Sequence, residues 1–220
     1  MRLTLFDLDH TLLDGDSDQL WCEFLMERGV LPREPFEARN RQMAVDYAAG
    51  QVSAQDFCEF YIGTLAGRSA GDWQTLRREF VETRVKPRIG DAALQLVARH
   101  HDAGDLVVLT TATCRFLSEL SAVHLGISAL IATECEIDTD GRFTGRCSGV
   151  PNMREGKVQR LHDWLAAHRL QLDECQSMLY SDSINDLPLL STVQRAVAVN
   201  PDARLAAVAA ERGWPVMTMR

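Results

Sequence analysis

The chain has 220 residues, 46% of them hydrophobic and 25% charged, with a formal net charge of −8. That length buries a full core and leaves room for a second small domain. The negative balance argues against nucleic acid or an anionic membrane as the main partner. Along the chain, Leu3, Leu5 and Phe6 predict a strand over residues 3–7 that starts without a preceding signal-peptide pattern. From residue 17 to 84 the apolar spacing turns helical. Trp21, Phe24 and Leu25, then Phe57, Phe60, Tyr61 and Leu65, recur at three- and four-residue intervals. Gly29, Gly50 and Gly67 mark helix ends, and Ser53-x-x-Asp56 and Asp72-Trp73 mark starts. This stretch reads as an all-helical insert of about four helices.

Strand–helix alternation resumes near Pro87. Residues 91–101 form a helix ending near Gly104, with His100 and His101 beside its negative end. The apolar run 106–109 predicts a buried strand, 116–125 a helix stopped by Gly126, and 130–132 a short strand. Asp140-Gly141 is a hairpin turn between 136–138 and 143–145. An amphipathic helix follows over 158–167, then strands at 178–180 and 196–199 and a helix over 202–212. From Trp214 an edge strand that tolerates Pro215 ends the pattern. The expected fold is α/β, a doubly wound parallel sheet built from residues 1–14 and 86–220, with an all-helical insert over 15–85. No apolar run reaches the roughly 18–20 residues that span a bilayer. The six cysteines form no C-x-x-C pair. The expectation is a cytoplasmic protein with free thiols.

Polar groups gather where predicted strands end. Asp7 and Asp9 lie on one side of an extended segment. Two such anions repel by about 4 kcal/mol at 4 Å and an effective dielectric near 20, so the pair points to a divalent metal, to acid–base work or to both, the alternative being a strand end with solvated aspartates. Thr110 and Thr111 follow the strand at 107–109. Asp182 and Asp186 follow the strand at 178–180, and Lys157 opens a helix after Arg154-Glu155-Gly156. In an open α/β sheet these ends share one crevice. Four carboxylates, a lysine and a threonine read as a site for Mg²⁺ and phosphate, since hard Mg²⁺ takes carboxylate oxygens and keeps several waters. There is no G-x-x-x-x-G-K-[ST], no G-x-G-x-x-G and no G-x-S-x-G, which counts against P-loop enzymes, dinucleotide binding and serine hydrolases.

Asp7-Leu8-Asp9-His10-Thr11, Leu109-Thr110-Thr111-Ala112-Thr113, Gly156-Lys157 and Ser181-Asp182-Ser183-Ile184-Asn185-Asp186 occur in that order. On these motifs the chain resembles the haloacid dehalogenase superfamily of phosphohydrolases, within it the phosphoserine-phosphatase-like subgroup with a helical cap inserted after the first motif. Ser181 stands where glycine is usual. The resemblance implies a nucleophilic Asp7 that forms an aspartyl-phosphate and an Asp9 that serves as general acid and base. It implies Mg²⁺ held by Asp7, Asp182 and the backbone carbonyl of Asp9, with Asp186 orienting the metal's waters. Thr111, with Thr110 as the alternative, and the backbone at Ala112 would hold phosphoryl oxygens, and Lys157 would neutralise their charge. Asn185 would touch substrate or the metal shell, and it also suits a helix cap.

The insert should select the substrate. Phosphoserine phosphatases carry a glutamate shortly after the first motif, matched by Asp16 within Asp14-Gly15-Asp16-Ser17-Asp18, and an arginine on a cap helix. The matching helix here, residues 57–65, has no arginine, so the carboxylate of phosphoserine would lie unpaired at a cost of several kcal/mol. An acidic entrance lined by Trp21 and Tyr61 suits a cationic, partly flat phosphate ester such as histidinol phosphate. The acidic loop also suits capping of a helix that starts near Asp18. The functional expectation is a Mg²⁺-dependent phosphomonoester hydrolase acting on a small metabolite. A phosphoserine phosphatase, or a phosphotransferase or mutase using the same aspartyl-phosphate, is the alternative.

Overall fold

The computed structural model describes residues 1–48 and 51–219, so the helix-end reading of Gly50 lies outside the described residues. Strand β1 (Arg2–Phe6) opens the chain. Leu3 and Leu5 face one layer and Phe6 the other, all of them fully buried. Burial on both faces is what an unbroken apolar run requires of a strand. Four α-helices follow: α1 (Ser17–Glu27), α2 (Arg33–Ala48), α3 (Ala54–Ile62) and α4 (Ala70–Phe80). A π-helical turn at Val81–Val85 and a one-turn helix at Lys86–Arg88 lead into α5 (Asp91–Asp102). Then come β2 (Leu106–Cys114), α6 (Arg115–His124), β3 (Ala129–Thr133), the hairpin β4 (Cys135–Ile137) and β5 (Phe143–Cys147), α7 (Glu155–Ala167), β6 (Gln176–Ser181), α8 (Leu187–Leu190), β7 (Arg195–Val199), α9 (Ala203–Arg212) and β8 (Val216–Met217).

Six strands form one parallel sheet in the order β3-β2-β1-β6-β7-β8, and β4 and β5 pair antiparallel beside it. The chain leaves β1 toward β2 and later returns to β1's other side as β6, so the carboxyl ends of β2, β1 and β6 open side by side at a topological switch point. Helices cover both faces. Ala93, Leu96 and Val97 of α5 and Phe116 and Leu117 of α6 pack with Phe6, Val107 and Leu109 on one side. Leu161 and Leu165 of α7 and Leu205 and Ala209 of α9 pack with Leu3, Leu5 and Leu179 on the other. The first cluster continues into the helical insert, where Trp21 stacks on Phe24 and meets Trp73 and Phe80 edge-on.

The local starts and stops have visible causes. Ser69 and Asp72 form a reciprocal capping box at α4, and Ser53 caps α3 by accepting from Asp56 N–H. Asp202 caps α9, which ends on Gly213 at φ 65°, the left-handed position that favours glycine. The edge strand β8 is two residues long, and Pro215 joins only as an acceptor, from Ala198 N–H at 2.9 Å.

One strand departs from expectation in a way that matters for the site. Thr110 and Thr111 do not follow β2 but lie within it, because the strand continues to pair with β3 through Thr110–Ile131 and Thr111–Ala132. β-branched threonines suit a pleated strand. The register then shifts between Thr111 and Cys114, and a bulge of this kind re-aims the side chains within it. Among the described residues no helix is long and apolar enough to cross a membrane, and all six cysteines are free thiols.

Candidate active site

Asp7 leaves the end of β1 with its N–H donated to Tyr180 O of β6 at 2.9 Å, so its carboxyl stands at the seam of the two strands. The chain then turns sharply, with Leu8 O accepting from the N–H groups of Thr11, Leu12 and Leu13. The turn brings the Thr11 hydroxyl back to Asp7 Oδ2 at 3.4 Å and to Asp182 Oδ1 at 3.3 Å. One hydroxyl therefore reaches both carboxylates.

Lys157 enters from α7. Gly156 lets it do so: a Cβ there would sit 2.1 Å from Pro151 O, so only glycine allows the helix start to close on that backbone. Lys157 is 2% exposed, and its Nζ donates to Asp7 Oδ1 at 2.8 Å and Asp186 Oδ2 at 2.7 Å. Asp186 also accepts from Ser181 Oγ at 2.8 Å. Asp9 is held separately. Its Oδ1 accepts from Ser17 N–H at 2.8 Å and Ser17 Oγ at 2.5 Å, and its Oδ2 accepts from Thr113 Oγ1 at 2.7 Å.

The charges do not balance locally. Burial pushes the Asp7 carboxyl well above its usual range; Lys157 pulls against this, while Asp186, Asp182 and Asp9 add to it. Burial and Asp186 push Asp182 up to about 7. Burial opposes the Lys157 charge, but Asp186 and Asp7 outweigh it and hold the ammonium above its ordinary value. One ammonium serves a group of four aspartates, and further positive charge would relieve the rest. Asp7 and Asp182 supply hard carboxylate oxygens of the type Mg²⁺ takes, and the residues fit such an ion.

The fit is narrower than a cage of four side-chain carboxylates. Among the described residues no three His, Cys, Asp or Glu side chains converge as a metal-binding group. Asp186 is occupied by Lys157 and Ser181, and both Asp9 oxygens by Ser17 and Thr113. Lys157 and Ser181 share a single Asp186 oxygen, Oδ2, and Asp7 and Asp182 are the pair that meets at one point, the Thr11 hydroxyl.

These groups floor a cavity of about 290 Å³, and Asp16, Asp18, Tyr47 and Phe57 of the insert wall it. Of the residues singled out from the sequence, Asp7, Asp9, Asp16, Ala112, Lys157, Asp182, Asn185 and Asp186 line it. Thr111 does not. It is fully buried and accepts from Thr113 N–H at 3.2 Å, while Thr113 on the bulge lines the cavity. Thr110 is turned to Asn152, whose buried amide donates to Thr110 Oγ1, Thr111 O and Ile131 O at 2.9–3.0 Å and so ties β2 to β3. Asn185 Oδ1 accepts from Arg154 Nε at 3.4 Å. Asp16 both lines the cavity and caps α1, accepting from Gln19 N–H at 2.8 Å, with burial and Asp9 pushing its carboxyl up to about 7.

The expected aromatic entrance is elsewhere. Trp21 is buried among Phe24, Trp73 and Phe80, and Tyr61 is buried with its hydroxyl donated to Asn40 at 2.8 Å. Helical periodicity marks which residues share a face but not whether that face meets core or cavity. Tyr47 and Phe57 take the place at the wall. Asp18 was legible as part of the acidic loop, and its burial, with Asp16, Cys114 and Asp9 adding, pushes its carboxyl well up.

Comparison with known proteins identifies the family. The family model for haloacid dehalogenase-like hydrolases matches residues 4–191. A histidinol-phosphatase of Neisseria meningitidis is 38% identical over 220 residues, covering 100% of this chain and 99% of that protein. A phosphoserine phosphatase of Mycobacterium tuberculosis is 35% identical over 225 residues, covering 98% of this chain and 70% of that protein. A crystal structure of a Bordetella pertussis protein of unknown function superposes with a TM-score of 0.91 at 43% identity, covering 98% of this chain and 97% of that one. The chain belongs to the haloacid dehalogenase-like hydrolase family and is one of its phosphatases.

Proposed function

We propose that the protein is a Mg²⁺-dependent phosphomonoester hydrolase that works through an aspartyl-phosphate on Asp7, with an amine-bearing small metabolite such as histidinol phosphate as substrate. The observation that carries this reading is the approach of Asp7 and Asp182 to one hydroxyl, that of Thr11, while Lys157 bridges Asp7 and Asp186.

The Asp7 and Asp182 carboxylates and the Asp9 carbonyl would hold Mg²⁺, which when bound supplies the positive charge that lets an anionic nucleophile approach a phosphate dianion. Asp7 attacks phosphorus in line, forming an O–P bond as the substrate's ester O–P bond breaks. Lys157, buried beside Asp7, compensates charge on the phosphoryl oxygens. Thr111 acts from beneath, accepting Thr113 N–H and fixing the bulge that brings Ala112 and Thr113 to the cavity. Asp9 gives a proton to the leaving oxygen and then takes one from the water that hydrolyses the aspartyl-phosphate. Ser17 and Thr113 hold both of its oxygens, so its carboxyl is already oriented for that exchange. Asp186, fixed by Ser181 and Lys157, keeps the lysine in place.

The insert acts as a cap that selects the substrate. Asp16 and Asp18 make one wall anionic, Phe57 adds an aromatic ring, and among the described residues Lys157 is the only lysine or arginine on the cavity wall. Such a wall suits an ammonium or imidazolium group beside a flat ring and gives a free carboxylate no partner. The similarity to a histidinol-phosphatase along its full length supports the same assignment. A kinetic panel of histidinol phosphate, phosphoserine and sugar phosphates tests it. The expected result is the highest kcat/KM on histidinol phosphate; equal rates on all three would reject amine recognition.

A further inference from the structure

Helix α2 rests on the molecule at two points. Among residues 33–47, only Phe36 and Tyr47 are buried, one near each end. Phe36 stacks on Phe60 at 5.1 Å between ring centroids, and Asn40 accepts the Tyr61 hydroxyl at 2.8 Å, so the first half of α2 lies on α3. The other end depends on Tyr47. Its ring packs against Phe57 at 4.3 Å and its hydroxyl donates to Met153 Sδ at 3.5 Å. The Arg154 guanidinium carbon lies 4.4 Å from the Tyr47 ring centroid. Arg154 then reaches across to Asn185, whose Oδ1 accepts from its Nε at 3.4 Å.

These contacts form one short path: α2, Tyr47, Arg154, Asn185. It joins the insert to the loop that carries Asp182 and Asp186. Arg154 is three residues before Lys157, and its backbone is at φ 52°, a region that residues with side chains rarely adopt. From that position the guanidinium reaches Tyr47 and Asn185.

We propose that Arg154 is a positioning residue that latches the Tyr47 end of α2 over the aspartates, and that turnover of a phosphate ester needs this latch to close. The role in turnover rests on the phosphatase reading above; the latch itself does not. A single cation–π contact biases an open–closed equilibrium by roughly 2- to 30-fold, strong enough to favour closure and weak enough to release product. The Tyr47 ring already packs with Phe57 and Arg154, so its contribution is to seat the helix rather than to stack a substrate ring.

Two measurements on the 220-residue chain test this. The first is amide hydrogen exchange over residues 43–47. The second is steady-state hydrolysis of p-nitrophenyl phosphate with Mg²⁺ present. The variants are Arg154→Ala, Tyr47→Leu, their double and Tyr47→Phe, each checked by thermal melting. We expect Arg154→Ala and Tyr47→Leu each to raise exchange at the end of α2 by at least about fivefold and KM by a similar factor, with a smaller change in kcat. The double variant should be no worse than the poorer single, because both break one path. Tyr47→Phe keeps the aromatic face and should stay within about twofold of wild type. Unchanged exchange, effects that multiply in the double, or a Tyr47→Phe as damaged as Tyr47→Leu would overturn the latch. Faster exchange with unaltered kinetics would overturn its role in turnover. A wild-type protein that hydrolyses no phosphate ester would bring down the functional reading, while the exchange data would still decide the latch.

Discussion

Lys157 and Asp7 stand 150 residues apart in the chain and 2.8 Å apart in space, with both side chains buried. The contact joins the first strand to the helix that Gly156 allows to close on Pro151, and it puts the cation beside the residue we assign as nucleophile. Asp7→Asn keeps an oxygen for Lys157 to donate to and removes the attacking anion. The expected outcome is an unchanged or slightly raised melting temperature with kcat lower by at least about 10⁴-fold. Retained turnover in a steady-state assay would exclude Asp7 as nucleophile.

Removing the cation should act differently. Lys157→Met leaves Asp7 and Asp186 without their shared ammonium, and breaking a buried pair from one side costs about 3–5 kcal/mol. Both stability and turnover should fall, with kcat down by at least about 100-fold. Denaturant melts run beside kinetic assays check this. A fully stable Lys157→Met protein would show that the carboxylates are balanced by something other than the lysine.

Two carboxylates that Thr11 brings within reach of each other need added charge. Addition of EDTA should therefore silence hydrolysis, and an excess of Mg²⁺ should restore it with the fold intact by circular dichroism. Full activity in excess chelator would remove the metal from the mechanism.

Asp16 has two roles that one substitution separates. Asn caps a helix about as well as Asp, so Asp16→Asn should leave α1 and the melting temperature unchanged while it removes one anion from the cavity wall. The preference for histidinol phosphate over a sugar phosphate, as a ratio of kcat/KM values, should drop about tenfold, equivalent to about 1.4 kcal/mol. An unaltered ratio would reduce Asp16 to its capping role.

On the opposite side of β1, Asp105 accepts from Thr4 Oγ1 at 3.0 Å, lies 2.6 Å from His100 Nδ1 and pairs with Arg2 at 2.6 Å. Burial works against its charge, but the bonds from His100 and Thr4 and the charge of Arg2 win, and the carboxyl is held below its ordinary value. A depressed carboxylate stabilises the fold above its unfolded pKa of about 4 and loses that contribution as pH falls through the lower folded value. Asp105→Asn should therefore cost about 1–3 kcal/mol near neutrality, and the gap to wild type should close as the pH drops below about 4. Melting curves at several pH values read this directly; a gap that stays constant with pH would mean Asp105 acts by shape and not by charge.

Much of the architecture was readable before any coordinates. Unbroken apolar runs such as 106–109 mark strands buried on both faces, and Asp140-Gly141 marks a hairpin, because these signals are local. Ser53 and Asp202 announce helix starts for the same reason, and Asp72 marks the first turn of α4, whose cap is Ser69. The aspartate motifs were readable too, since residues at strand ends of an open parallel sheet share one crevice. Which side chains meet the cavity depended on geometry between segments. At the β2 end Thr113 and not Thr111 lines it, beside a register shift against β3. The aromatic wall passed from Trp21 and Tyr61 to Tyr47 and Phe57, because a helix with apolar residues on more than one side offers no local mark of which side meets solvent.

By itself the amino-acid order determined the alternation of strands and helices, the place of the helical insert in the chain, and the motif order that carries the family resemblance. These rest on periodicity, turn chemistry and spacing, all written within a few residues of one another. Only the tertiary structure decided that Lys157 is shared between Asp7 and Asp186, that Asp9 is held by Ser17 and Thr113, and that Arg154 reaches Tyr47. Those contacts join residues from distant parts of the chain. A side chain's partner is set by where the packed core places its backbone, and that is a property of the whole fold.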